Sequence, residues 1–181
     1  MKLRRLIPLL LAAALPALAF AQANSWHRVE LKPAQGKALP YTLEVPGDWQ
    51  VRQVEGAPGL WIGPADAKPP QDPRLIWVRG SNTALSDPEA VAKSIRETDQ
   101  KEASWTAPRV EVKDFGGVRG VLVRMDSGEG DQARSTLALK VPFQTVAVDF
   151  LASAGRTEFE KMLPTYERIL QSVRPAADAP K

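Results

Sequence analysis

RVEVKDF (residues 109–115), GG (116–117), VRGVLVRMD (118–126), SGEGD (127–131), QARSTLALKV (132–141) and TVAVDFL (145–151) follow one another with almost nothing between them. Their apolar residues recur at every second position, the period that sends successive side chains to opposite faces of a strand. Val121, Val123 and Met125 share one face. Leu137, Leu139 and Val141 share another, as do Val146, Val148 and Phe150. Gly116-Gly117 and the Ser127–Asp131 segment carry turn chemistry. Connections this short join antiparallel neighbours, so the stretch predicts a β-meander.

Two helices frame it. Ser86 or Asp87 is an N-cap type of residue, with Pro88 in the first turn. Ala90, Val91, Ile95 and Thr98 mark the inner face of that helix. Thr157 to Val173 forms the second, with Phe159, Met162, Leu163, Tyr166, Ile169, Leu170 and Val173 at helical spacing. Pro164 lies inside the pattern and should kink this helix or restart it near Leu163.

The first half of the chain reads as strands: Trp26–Lys32, Tyr41–Val45, Trp49–Val54, Gly59–Gly63 and Arg74–Arg79. Tyr41, Leu43 and Val45 face one way, and Pro46-Gly47-Asp48 turns the chain. Leu75 and Trp77 lie opposite Ile76 and Val78, and a strand apolar on both faces is usually covered on both. Pro64 to Pro73 holds four prolines and reads as a loop too short to divide two domains. No internal repeat is present.

At the N-terminus, Lys2, Arg4 and Arg5 precede an apolar run from Leu6 to Leu18, followed by Ala19-Phe20-Ala21. This is the three-part layout of a secretory signal peptide over residues 1–21. The run is short against the roughly 20 residues of a membrane-spanning helix. The expected product is a single domain over 22–174 with a disordered Ala- and Pro-rich tail over 175–181, and no membrane span after processing. There is no cysteine, so neither a lipoprotein anchor, a disulfide, thiol catalysis nor a thiolate metal site is expected. The expected location is therefore periplasmic or secreted.

The full chain carries 24 basic and 21 acidic residues, but three of the basic ones belong to the signal, which leaves the mature chain formally neutral. A neutral domain has no electrostatic footprint for nucleic acid and no polybasic patch for anionic lipid.

The segment Tyr41-Thr42-Leu43-Glu44-Val45-Pro46-Gly47-Asp48-Trp49, the meander closing on 145–151, and the ending Tyr166-Glu167-Arg168-Ile169-Leu170-Gln171-Ser172-Val173 together resemble the PsbP/Mog1-like superfamily, including bacterial DcrB-type exported proteins. The resemblance covers 26–174. It implies an α+β fold, an α/β/α sandwich around an antiparallel sheet. It also implies binding, assembly or adaptor work without a shared catalytic centre. Asp48-Trp49 is a folding signature in that family and transfers no site. Val173 stands where an aromatic is common.

Chemical motifs are sparse. His27 is the only histidine, and no Gly-x-Ser-x-Gly elbow accompanies it. Zinc or copper would need more imidazoles or thiolates than the chain has. The carboxylates of Asp126, Glu129 and Asp131 lack the spacing of a calcium loop and read as a hairpin tip. No glycine-rich phosphate loop is present, and no cofactor is expected. The five tryptophans, Trp26, Trp49, Trp61, Trp77 and Trp105, all lie in the mature chain. Such rings serve either as core or as a binding platform. Trp105, in the polar stretch 102–107, leads the candidates for a partner surface, joined by Trp61 and Trp77, which share a sheet face only if the register of their strands, which the sequence leaves open, brings them together. The sequence thus favours an exported non-enzymatic binding or adaptor protein. A small-ligand or lipid carrier with an apolar cavity and an unrecognised hydrolase with spatially paired carboxylates are the alternatives.

Overall fold

The computed structural model describes residues 25–32, 39–53, 56, 58–70, 72–81, 84–99, 108–143 and 146–177. Residues 1–21, expected to be a signal peptide, and Trp105 lie outside them, as do the last four residues of the expected tail.

Among the described residues two antiparallel sheets form. β1 (Trp26–Glu30), β2 (Tyr41–Pro46) and β10 (Arg174–Pro175) make a small sheet in the order β1-β2-β10. β3 (Trp49–Arg52), β4 (Leu60–Pro64), β5 (Ile76–Ser81), β6 (Arg109–Asp114), β7 (Arg119–Ser127), β8 (Arg134–Phe143) and β9 (Val146–Gly155) make a large one in the order β3-β4-β5-β9-β8-β7-β6. The predicted meander is thus β6 to β9, and β5 adds to its β9 edge. The Pro46-Gly47-Asp48 turn is a corner between the sheets. The Gly47 N–H donates to the Ser25 carbonyl at 2.8 Å, and Trp49 drops into the core immediately afterwards.

Helix α1 (Pro88–Asp99) lies over β6 and β7, and α2 (Arg156–Gln171) over β8, β9 and β2. They cover opposite faces of the large sheet. On the α2 face, Ile62, Ile76, Val78, Leu137, Leu139, Phe150 and Ala152 join Leu43, Val45, Phe159, Tyr166, Ile169 and Leu170 in the main core. On the α1 face, Val110, Val121, Val123, Ala138 and Ala147 pack with Ala92 and Leu85. This is the expected α/β/α arrangement, with the small sheet added beside α2.

Asp87 caps α1, its carboxylate accepting from the backbone N–H groups of Glu89 and Ala90 at 3.0 and 3.2 Å. The inner face of α1 needs correction. Ala92 is buried there beside Val91 and Ile95, whereas Ala90 and Thr98 are exposed. A 12-residue helix with a low apolar content leaves its phase open by one position. Helix α2 runs through Pro164 without restarting. Pro164 and Glu160 are both exposed, so water can serve the carbonyl that the missing proline N–H leaves unpaired.

Two boundaries also move. β9 continues past Leu151 to Gly155, because the small residues Ala152, Ser153 and Ala154 pair with Leu137, Thr136 and Ser135. Pro175, placed on sequence in the tail, pairs with Tyr41 in β10, and the Ala176 N–H donates to the Pro40 carbonyl at 2.9 Å.

Candidate functional site

The register places Trp61, Trp77, Leu151, Ala138, Val123 and Val110 on one rung across β4, β5, β9, β8, β7 and β6. Residues paired across antiparallel strands point to the same side, so the whole rung lies on the α1 face. Helix α1 covers its β6–β7 end. Trp77 and Leu151, near the other end, stay half-buried.

Trp61 and Trp77 stack with ring centroids 5.6 Å apart and planes within 9°. Trp61 is 8% exposed and packs with Ala67 and Leu75. The segment that follows β4 covers it. Arg52, the register partner of Trp61, holds that segment by donating to the carbonyls of Pro64, Ala65 and Ala67 at 3.2, 3.3 and 3.0 Å. Further along, the Arg74 guanidinium bridges Asp66 and Asp72. Its hydrogen bonds hold the Asp72 carboxyl down at about 2. The Trp61 Nε1 and Arg52 Nε donors are closed to solvent and meet no acceptor among the described residues, at a cost of about 1–3 kcal/mol each.

Trp77 is fixed three ways. It stacks on Trp61, its Nε1 donates to the Pro58 carbonyl at 2.8 Å, and the Arg79 guanidinium lies 4.5 Å from its ring centroid. Gly59 makes the Pro58 bond possible. Its φ is +95°, and a Cβ there would sit 2.2 Å from the Val78 carbonyl oxygen, so only glycine brings this turn so close to β5.

One rung along stand Arg79, Asp149, Lys140, Val121 and Val112. Asp149 is 3% exposed, and Lys140 donates to both its oxygens at 2.9 and 3.0 Å. The site is therefore a rigid indole and a leucine beside a fixed row of charges.

A groove of about 440 Å3 opens elsewhere, between β1–β2 and the C-terminal end of α2. Its polar side chains mostly tie these elements together. Arg28 bonds Thr42 and Glu44, Arg174 caps the carbonyls of Gln171 and Val173, and Arg168 lies 3.7 Å over the Trp26 ring. The open sheet face is the better candidate, because its indole is held rigid and still reaches solvent.

No family model matches the chain, and no curated protein matches it. Solved structures do. CyanoP, the cyanobacterial PsbP of Synechocystis, aligns with a TM-score of 0.51 at 16% identity, covering 83% of this chain and 92% of that one. LpqN of Mycobacterium tuberculosis, described as involved in cell envelope biogenesis, aligns with a TM-score of 0.58 at 17% identity, covering 88% of this chain and 96% of that one. The chain has the PsbP/Mog1-like fold. At these identities the likeness concerns the fold alone.

Within the PsbP/Mog1-like fold, Trp61 and Trp77 come together on one sheet face. Trp49 belongs to the main core, and Trp26 packs against that core beneath Arg168. His27 is exposed on β1. The 126–131 segment forms the β7–β8 hairpin tip, where the Asp126 carboxylate accepts from the Ser135 hydroxyl at 2.5 Å. Arg79, Lys140 and Asp149 escaped sequence reasoning. The available signal was a carboxylate at 149 within the apolar run 146–151, which calls for a cationic partner on a neighbouring strand. Among the described residues no helix is long and apolar enough to cross a membrane.

Proposed function

We propose that the protein is an exported, non-enzymatic binding or adaptor module that holds a protein or envelope partner against Trp77 and Leu151. The observation that supports this most is the half-exposed Trp77 ring, immobilised by Trp61, Arg79 and the Pro58 carbonyl. An indole already held in place loses little freedom on binding, and such anchors concentrate interface energy. The formally neutral mature chain offers little long-range steering, so short-range apolar contact has to carry the affinity. Asp149 is given no catalytic role, since Lys140 occupies both its oxygens. The envelope setting rests on the signal-like 1–21 segment, and LpqN's printed role in envelope biogenesis agrees with it.

The test is a photo-reactive amino acid at Leu151, activated in intact cells, with a control at exposed Glu158 on α2. A discrete adduct from position 151 that is absent from 158 is expected, and Trp77→Ala should reduce it about tenfold at an unchanged fold. No adduct at 151, or the same adducts from both positions, removes this reading.

A further inference from the structure

We infer that the partner presents a carboxylate beside an apolar side chain, as an Asp- or Glu-containing apolar segment of a protein, and that Arg79 receives it. This rests on the reading of the open face above.

The charge row supplies the argument. Arg79 stands directly opposite Asp149 on the neighbouring strand, a position from which opposite charges pair. They do not pair here. Asp149 gives both oxygens to Lys140 on its other side. Among the described residues Arg79 meets no carboxylate, and its guanidinium rests on Trp77. A guanidinium is a planar fork of five donors that matches a carboxylate in bidentate fashion. The Trp77 ring holds this fork in place, 4.5 Å from its centroid, and Arg79 is exposed, so its donors are open to a ligand. Arg79 and Lys140 against Asp149 leave one positive charge uncompensated.

Spacing narrows the ligand further. Trp77 and Arg79 are two residues apart on β5, which separates them by roughly 6.5 Å along the strand. An extended segment with an apolar residue and a carboxylate two positions apart matches both. An anionic membrane is the competing occupant, but such surfaces are gripped by clusters of about four to eight Lys or Arg. This row offers a single uncommitted guanidinium. The observations favour a protein segment.

The Leu151 photoprobe tests this in cells carrying Arg79→Gln, Arg79→Lys or Arg79→Glu, with unfolding midpoints measured on each purified variant. Arg79→Gln should lower the adduct yield about tenfold and Arg79→Glu should abolish it. Arg79→Lys, which keeps the charge without the fork, should fall between. The attached segment should contain Asp or Glu beside an apolar residue. A synthetic peptide of that segment should bind the wild type about tenfold more weakly once its carboxylate is changed to the amide. Undiminished adduct in Arg79→Gln, or equal binding of the two peptides, overturns the carboxylate inference and leaves the adaptor reading standing. Absence of any adduct in the wild type fails the adaptor reading itself and this inference with it. Co-sedimentation of the wild type with phosphatidylglycerol vesicles, lost in Arg79→Gln, reassigns Arg79 to a membrane surface and overturns the inference.

Discussion

Lys140 and Asp149 face each other across β8 and β9, and the ammonium donates to both carboxylate oxygens at 2.9 and 3.0 Å. The pair lies on a sheet face that is otherwise apolar toward α1. Its position accounts for the free state of Arg79 and makes it a determinant of stability.

Lys140→Ala leaves the Asp149 carboxylate at a position nearly closed to water. Removing one partner of such a pair costs about 3–5 kcal/mol. Replacing both, as Lys140→Met with Asp149→Leu, should recover most of that loss. Urea unfolding of the single and double variants decides the matter, and a single-variant cost below about 1 kcal/mol would show the pair to be solvated.

The two stacked indoles should behave differently. Trp61 is enclosed by Ala67, Leu75 and Trp77, and Trp61→Ala should cost about 3–5 kcal/mol. Trp77 is half-exposed, so Trp77→Ala should cost less in stability while reducing the Leu151 adduct about tenfold. Equal unfolding midpoints for the two variants would contradict the assigned division of roles.

On α2, Leu170 is wholly buried in the main core, and Glu167 lies off the buried stripe. Leu170→Ala should cost about 2–5 kcal/mol. Glu167→Ala should remain within about 0.5 kcal/mol. Similar shifts for both would mean that the helix is not docked through this stripe.

The loop over Trp61 should be acid-sensitive. The Asp72 carboxyl is lowered from 3.8 to about 2, first by hydrogen bonds from the Arg74 side chain. A lowered carboxyl pKa binds fewer protons in the folded state, so its contribution is present above 3.8 and is lost as pH falls towards about 2. Arg74→Gln should flatten stability against pH in that window and leave its slope near neutrality unchanged. Urea midpoints measured across the acid range provide the check, and parallel curves for the two proteins would refute the assignment.

Export makes a prediction of its own. On the proposed signal-peptide reading, Ala19-Phe20-Ala21 is the recognition site and the mature protein begins at or near Gln22. Intact mass of the protein purified from the cells that make it should therefore lack residues 1 to about 21, and a mass that includes Met1 to Ala21 would rule out cleavage there.

The strands of the meander, a helix cap at Ser86 or Asp87, the buried stripe of α2 and the pairing-prone alternation of Tyr41, Leu43 and Val45 were legible in the residues themselves. Each is a local property, set by a period of 2 or 3.6 and by which groups can satisfy a helix end. The site was legible only in part. Trp61 and Trp77 were recognisable as large rings on two nearby apolar runs, but their stack depends on Trp61 being the register partner of Trp77. The phase of α1 and the extension of β9 through Ala152, Ser153 and Ala154 were set by neighbours, because small residues have weak preferences of their own and follow the surface they meet.

Three features belong to the tertiary structure alone: the division into two sheets at Gly47, the open strip beside α1, and the choice of Lys140 over Arg79 as the partner of Asp149. Each depends on which distant strands lie side by side. A one-residue slip in that pairing would send every one of these side chains to the other face, and no single strand carries the information that prevents it.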